Sequence, residues 1–132
     1  HEFANRNWLQ EEQLGQMMAL RVGPQYEKDR TKFADVLKHH ERKIAKAVDL
    51  FSRIKNTEQA EEVLTVLFAS RQLKMANPRR EVAEQDLYNY IIDWKKAWAT
   101  DEKRGAVASA IRNLVLLGWM KLNISESLPE AV

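Results

Sequence analysis

The chain has 132 residues, the size of one ordinary domain, and contains no cysteine. The lack of cysteine excludes a disulfide-stapled fold, a thiolate zinc site and a cysteine nucleophile. Lysine and arginine total 21 against 19 aspartates and glutamates, so the formal net charge of +2 does not by itself imply a polyanionic partner. Four glycines and three prolines leave few turns, which favours long helices over many short strands.

Targeting segments are not evident in the sequence. No apolar run approaches the ~20 residues that span a bilayer, and no basic region followed by an apolar stretch indicates a signal peptide. The opening His1-Glu2-Phe3 is interpreted as a tag remnant. We therefore expect a cytoplasmic protein without membrane contact, folded as a single domain over residues 4–132 or cut from a longer chain.

Apolar spacing and helix-ending residues divide the chain into about five helices. The first is predicted over Arg6–Leu20 and is ended by Gly23-Pro24. From Tyr26 to Ile54 the apolar residues recur every three or four positions. This spacing fits one long helix or two shorter ones broken near His39-His40. Residues 4–55 are thus expected to form the N-terminal helices.

The third helix is predicted to begin after Asn56, because Gln59 follows at the position that completes a capping pattern. Asn77-Pro78 ends this helix. A fourth helix is predicted over Arg80–Trp98, and Thr100 is the expected N-cap of the next one.

The fifth helix is predicted over Glu102–Leu117, with Gly118 as its terminator. Trp119–Ile124 then alternates apolar and polar residues as a strand would. Residues 125–132 are expected to fray. The predicted fold class is all-α or mainly α with a short β-strand.

The order of helix, helix, helix, glycine and strand between Thr57 and Ile124 resembles the winged helix-turn-helix superfamily. Within it, Ala106–Trp119 is similar to the recognition helix of that superfamily and its exit into the first wing strand. The resemblance implies that residues 56–124 are a winged-helix-like unit. It also implies a non-enzymatic DNA-binding or regulatory module whose last helix enters the major groove of duplex DNA.

A major-groove helix needs polar and basic side chains on the face away from its core. Residues 71–121 contain ten basic and six acidic residues, a local charge of +4 (ten minus six). Arg79 and Arg80, at the start of the predicted fourth helix, oppose its dipole and so favour an anion there. The predicted base contacts are Arg104, Ser109, Arg112, Asn113 and Lys121, and the predicted phosphate contacts are Arg79, Arg80 and Lys103.

The alternative is a helical protein-interaction or assembly module that binds no nucleic acid. The near-neutral total charge, the four tryptophans and the long helical segment after Tyr26 motivate this hypothesis. In either case the N-terminal helices are expected to pair with a second copy or with another protein.

An enzyme is the least supported hypothesis. His39-His40-Glu41 is the one cluster that suggests a metal site, but neighbouring helical residues point about 100° apart, so the two imidazoles do not share an ion. His40 is predicted on the apolar stripe and His39 toward solvent. No phosphate-binding glycine loop, zinc-protease helix or nucleophile elbow occurs, and no cofactor, metal or catalytic residue is predicted.

Overall fold

A computed structural model describes residues 6–126, 128 and 129, so the residues interpreted as a tag remnant, 1–3, lie outside it. The described part of the chain is mainly helical, as predicted, with two strands, six α-helices and one 3₁₀ turn. None of these helices is long and apolar enough to cross a membrane. The chain divides into two compact units with the boundary between Arg53 and Ile54, called unit 1 and unit 2 below.

Unit 1 begins with a β-hairpin, so the helix predicted over Arg6–Leu20 is wrong. Strand β1, Leu9–Leu14, pairs antiparallel with β2, Met17–Val22. Gly15 has a φ of +64° at the first position of the two-residue turn, a conformation that glycine adopts without strain and that tight hairpins require. Gly15, in the middle of the predicted helix, indicated a turn. The apolar spacing of three to four residues favoured a helix instead.

Three short helices follow the hairpin. They are α1, Tyr26–Lys32, α2, Ala34–His39, and α3, Glu41–Arg53. The expected break near His39-His40 is present at His40, and a second break at Phe33 was not predicted. His39 is exposed, as predicted, and His40, which was predicted on the apolar stripe, is exposed as well.

Unit 2 is built from three helices that pack on one another. They are α4, Thr57–Ala76, α5, Glu84–Trp94, and α6, Asp101–Leu116, with the 3₁₀ turn Lys96–Trp98 between the last two. The fully buried side chains come from all three helices. The largest of them are Val66, Leu87, Ile91, Val107, Ile111 and Leu114.

Both predicted N-caps are confirmed. The backbone N–H of Gln59 donates to Asn56 Oδ1 over 2.8 Å, and that of Lys103 donates to Thr100 Oγ1 over 3.4 Å. The Gln59 side chain in turn accepts the Lys55 N–H at 2.8 Å, which completes a variant of the capping box.

Helix α5 is shorter than the predicted Arg80–Trp98. It begins at Glu84 and ends at Trp94, because Lys95 leaves the helical conformation with φ −98° and ψ 70°. Arg79 and Arg80 therefore lie in the loop before α5 and do not oppose a helix dipole. The first turn instead contains Glu84 and Asp86, which the dipole favours.

The end of α6 follows the prediction at Gly118 but not beyond it. Gly118 has a φ of +70°, and its N–H donates to Val115 O while the Trp119 N–H donates to Leu114 O, the two bonds of a Schellman motif. The predicted strand Trp119–Ile124 is wrong, because it contributes only an isolated parallel bridge between Asn123 and Ala83. Among the described residues after Gly118, no second strand forms the hairpin that a wing requires.

Candidate functional site

The outer face of α6 is the surface that the sequence predicts to enter the DNA groove. Every third or fourth residue points outward, and Glu102, Ser109 and Asn113 belong to this stripe, which ends at Leu116, 83% exposed. Ser109 is half-buried and Asn113 is exposed. Two of the predicted base contacts thus share the outer face, together with one carboxylate that would repel phosphate.

Lys103, a predicted phosphate contact, is bound by the protein's own carboxylates. Its ammonium group forms ion pairs with Glu58 and with Glu62, the latter at 2.6 Å, and the lysine side chain is only 19% exposed. Burial acts to lower the pKa of Lys103, but the hydrogen bonds to Glu58 and Glu62 outweigh it and raise that pKa above its ordinary value. This cluster, named here the α4–α6 clasp, joins the N-terminal parts of the two helices.

A neighbouring ion pair extends the clasp toward the 3₁₀ turn. Lys95 Nζ donates to Glu61 Oε1 over 2.8 Å, and this hydrogen bond lowers the pKa of Glu61. The ammonium groups of Lys95 and Lys103 also lie 4.9 and 5.4 Å from the ring centroid of Trp98, which is buried. Acidic residues of α4 and one indole therefore hold the two lysines inside unit 2.

Arg104 is exposed but projects away from the outer face of α6. It lies with Tyr88, Asn89 and Asp93 around a shallow cavity of about 350 Å³ beside α5. Burial raises the pKa of the Tyr88 hydroxyl, and the nearby charge of Arg104 opposes that shift. Arg104 and Asn113 do not act on one ligand edge, because they point to different sides of the helix.

Arg112 is half-buried and binds the C-terminal segment. Its Nη1 donates to Pro129 O over 3.1 Å, and its Nη2 lies 3.4 Å from Leu128 O. Leu128 is only 4% exposed, and the Ser125 N–H donates to the carboxylate of Glu84, itself buried. Residues 128 and 129 are thus held by α6 where a frayed tail was expected, while residues 127 and 130–132 lie outside the described part of the chain.

The remaining predicted phosphate and base contacts lie near the opposite end of α4. Arg79 and Arg80 are exposed in the loop before α5, and Arg80 lies 4.0 Å from Asp86. Lys121 is exposed in the segment after Gly118, where it lines a groove with Arg71 and Lys74 of α4. Arg71 and Lys74 were not predicted as site residues. Their spacing of three on a helix, which places both on one face, could have identified them.

The eight predicted residues are therefore divided among separate regions of unit 2. Ser109, Arg112 and Asn113 lie together on α6, although Arg112 is occupied by the C-terminal segment. The described residues contain no group of three or more histidine, cysteine, aspartate or glutamate side chains able to hold a metal ion. Comparisons with protein-family models, with curated proteins and with solved structures find no match to this chain.

The α4–α6 clasp makes a testable contribution to stability. Lys103→Met should lower the free energy of unfolding by about 2 kcal/mol, because it leaves the mostly buried Glu62 carboxylate without its ion pair. Chemical denaturation monitored by circular dichroism measures this loss. Lys96→Met is the matched control, since the Lys96 side chain is 79% exposed.

A second substitution distinguishes the lost ion pair from a packing defect. Adding Glu62→Leu to Lys103→Met removes the uncompensated charge and should recover most of the lost stability. Equal destabilisation by Lys96→Met and Lys103→Met would contradict a structural role for the clasp.

Arg112 should contribute to stability through the C-terminal segment. Arg112→Ala should lower the free energy of unfolding by about 1 kcal/mol and expose residues 128 and 129 to carboxypeptidase, because the carbonyl groups lose their donor. The neighbouring Asn113→Ala, at an exposed position, should change stability by less than about 0.5 kcal/mol. A variant Arg112→Ala that keeps full stability and loses duplex DNA binding would instead assign this residue to DNA.

Proposed function

We propose that this chain is a helical protein-interaction module that assembles with a second copy through unit 1. This proposal is based on the near absence of a hydrophobic core in the described part of unit 1. Among its described residues, 6–53, Leu50 is the only apolar side chain that is buried. A two-stranded hairpin and three short helices do not stabilise themselves in water without burying apolar surface.

Part of the exposed apolar surface of unit 1 lies along one face of α3. Ile44, Val48 and Phe51, named here the α3 stripe, recur at helical spacing and are 42%, 62% and 57% exposed. Val36 and Leu37 of the preceding helix are exposed as well, at 56% and 37%. A stable helix normally buries such a stripe, so an ordered apolar face left in water indicates an interaction surface.

The charges near the α3 stripe favour a second copy as the occupant. Glu41 flanks the stripe on one side and Lys43 on the other, while Lys46 and Asp49 occupy the polar face of the helix. Because the signs are mixed, two copies meet without net repulsion, and a partner of one strong sign gains nothing from this surface. An isologous contact between identical patches is also the commonest form of protein assembly.

Duplex DNA binding by α6 stays a prediction. Fewer of the predicted contact residues are available to DNA than the sequence indicated. Ser109 and Asn113 lie on the outer face of α6, whereas Lys103 and Arg112 are engaged within unit 2. The self-association proposal requires no polyanion. Retention on heparin that falls steeply with salt would favour the DNA hypothesis, because phosphate contacts release counterions.

Val48→Glu tests the proposed self-association. Placing a carboxylate in the middle of the α3 stripe should weaken the dimer at least about tenfold, because burying an unpaired charge is unfavourable. Sedimentation equilibrium over a range of concentrations measures the dissociation constant.

The matched control is Leu116→Glu, which adds the same charge at a more exposed apolar position on unit 2. It should leave the dissociation constant within about twofold of wild type. A wild-type protein that stays monomeric at every concentration, or equal weakening by both substitutions, would contradict the proposal.

A further inference from the structure

We propose that a groove on unit 2 binds an acidic peptide segment of a partner protein through one bulky apolar side chain of that segment. This site is distinct from the α3 stripe and does not depend on self-association. The groove has a volume of about 590 Å³ and lies between the C-terminal half of α4, the loop residues Glu81 and Val82, and Trp119–Lys121 after α6. Its volume is in the range of pockets that hold a small ligand or a side chain.

The floor of the groove is apolar. Leu67, Val82 and Trp119 are half-buried there, and Met120 is buried with 9% exposure. Met75, 63% exposed, stands at the edge with a side chain flexible enough to adjust to an entering group. An aromatic or long aliphatic side chain gains free energy by leaving water for this floor.

The rim of the groove is basic. Arg71 and Lys74 lie one turn apart on α4, and Lys121 lies on the segment that follows Gly118. Among the described residues, no carboxylate is within ion-pair distance of these three cations. The Lys74 ammonium group donates to the carbonyl of Arg80 at 3.4 Å, a contact that leaves its positive charge uncompensated. An anionic ligand therefore complements the rim.

An acidic peptide matches this combination better than a nucleic acid does. Carboxylates spaced along a peptide reach the separate cations of the rim while one apolar side chain fills the floor between them. A sugar–phosphate backbone leaves that floor unused unless a base enters it. The carboxylate of Glu81, on the same rim, repels phosphates and peptide carboxylates alike, so the apolar floor is the feature that distinguishes the two ligands.

The test uses a fluorescein-labelled, glutamate-rich peptide with one central phenylalanine, titrated with the full chain and monitored by fluorescence anisotropy. Wild type should bind it saturably. Arg71→Glu should weaken binding at least about tenfold through charge repulsion at the rim. Arg79→Glu is the matched control, because Arg79 is exposed nearby but does not line the groove, and it should weaken binding less than about threefold. Melting curves of both variants verify that they remain folded.

Three comparisons determine the class of ligand. A peptide with serine in place of phenylalanine should bind at least about tenfold more weakly, since the floor loses its occupant. A glutamine-rich peptide with the same phenylalanine should lose a similar amount. Single-stranded DNA of equal formal charge should compete poorly for the site.

The proposal is overturned by the absence of saturable peptide binding, by equal losses in Arg71→Glu and Arg79→Glu, or by DNA that binds more tightly than the peptide. Val48→Glu should bind the peptide as wild type does. Failure of the self-association proposal is therefore distinguishable from failure of this one.

Discussion

Among the described residues, unit 2 buries many apolar side chains and unit 1 buries very few. This difference determines which surfaces of the chain are available to bind a partner. Three helices in unit 2 enclose a core that includes Val66, Leu87 and Ile111, all fully buried. Unit 1 buries Leu50 alone among the apolar residues described there. Unit 2 therefore has a core of its own, whereas for unit 1 we propose that another surface covers its apolar face.

Ion pairs inside unit 2 reduce the number of basic side chains that α6 presents to a ligand. Lys103 is neutralised by Glu58 and Glu62, and Lys95 by Glu61. These acids precede residue 71 in the chain, so the local charge of +4 counted over residues 71–121 did not include the carboxylates that compensate it. Arg71, Lys74 and Lys121, which form no ion pair among the described residues, surround the groove and not the outer face of α6. Unpaired positive charge thus collects at a groove formed by residues that are far apart in the sequence.

Local signals in the sequence predicted local structure well. The caps at Asn56 and Thr100 and the terminator at Gly118 depend on hydrogen bonds within a few residues, and all three are present. The hairpin was missed because apolar spacing outweighed Gly15. The roles of Lys103 and Arg112 could not be predicted, because their partners lie 41 and 17 residues away along the chain. Which side chains a fold brings together is a tertiary property, and one sequence without its packing does not specify it.

Hydrogen–deuterium exchange at low and high protein concentration shows whether a second copy completes unit 1. Amides of α3, Glu41–Arg53, should exchange rapidly in dilute protein and become protected as concentration rises, because association buries the α3 stripe. Amides of α4 and α6 should be equally protected at both concentrations, since their core lies within unit 2. Strong protection of α3 at a concentration where sedimentation shows only monomer would contradict a role for the second copy, as would exchange that stays rapid at the highest concentration.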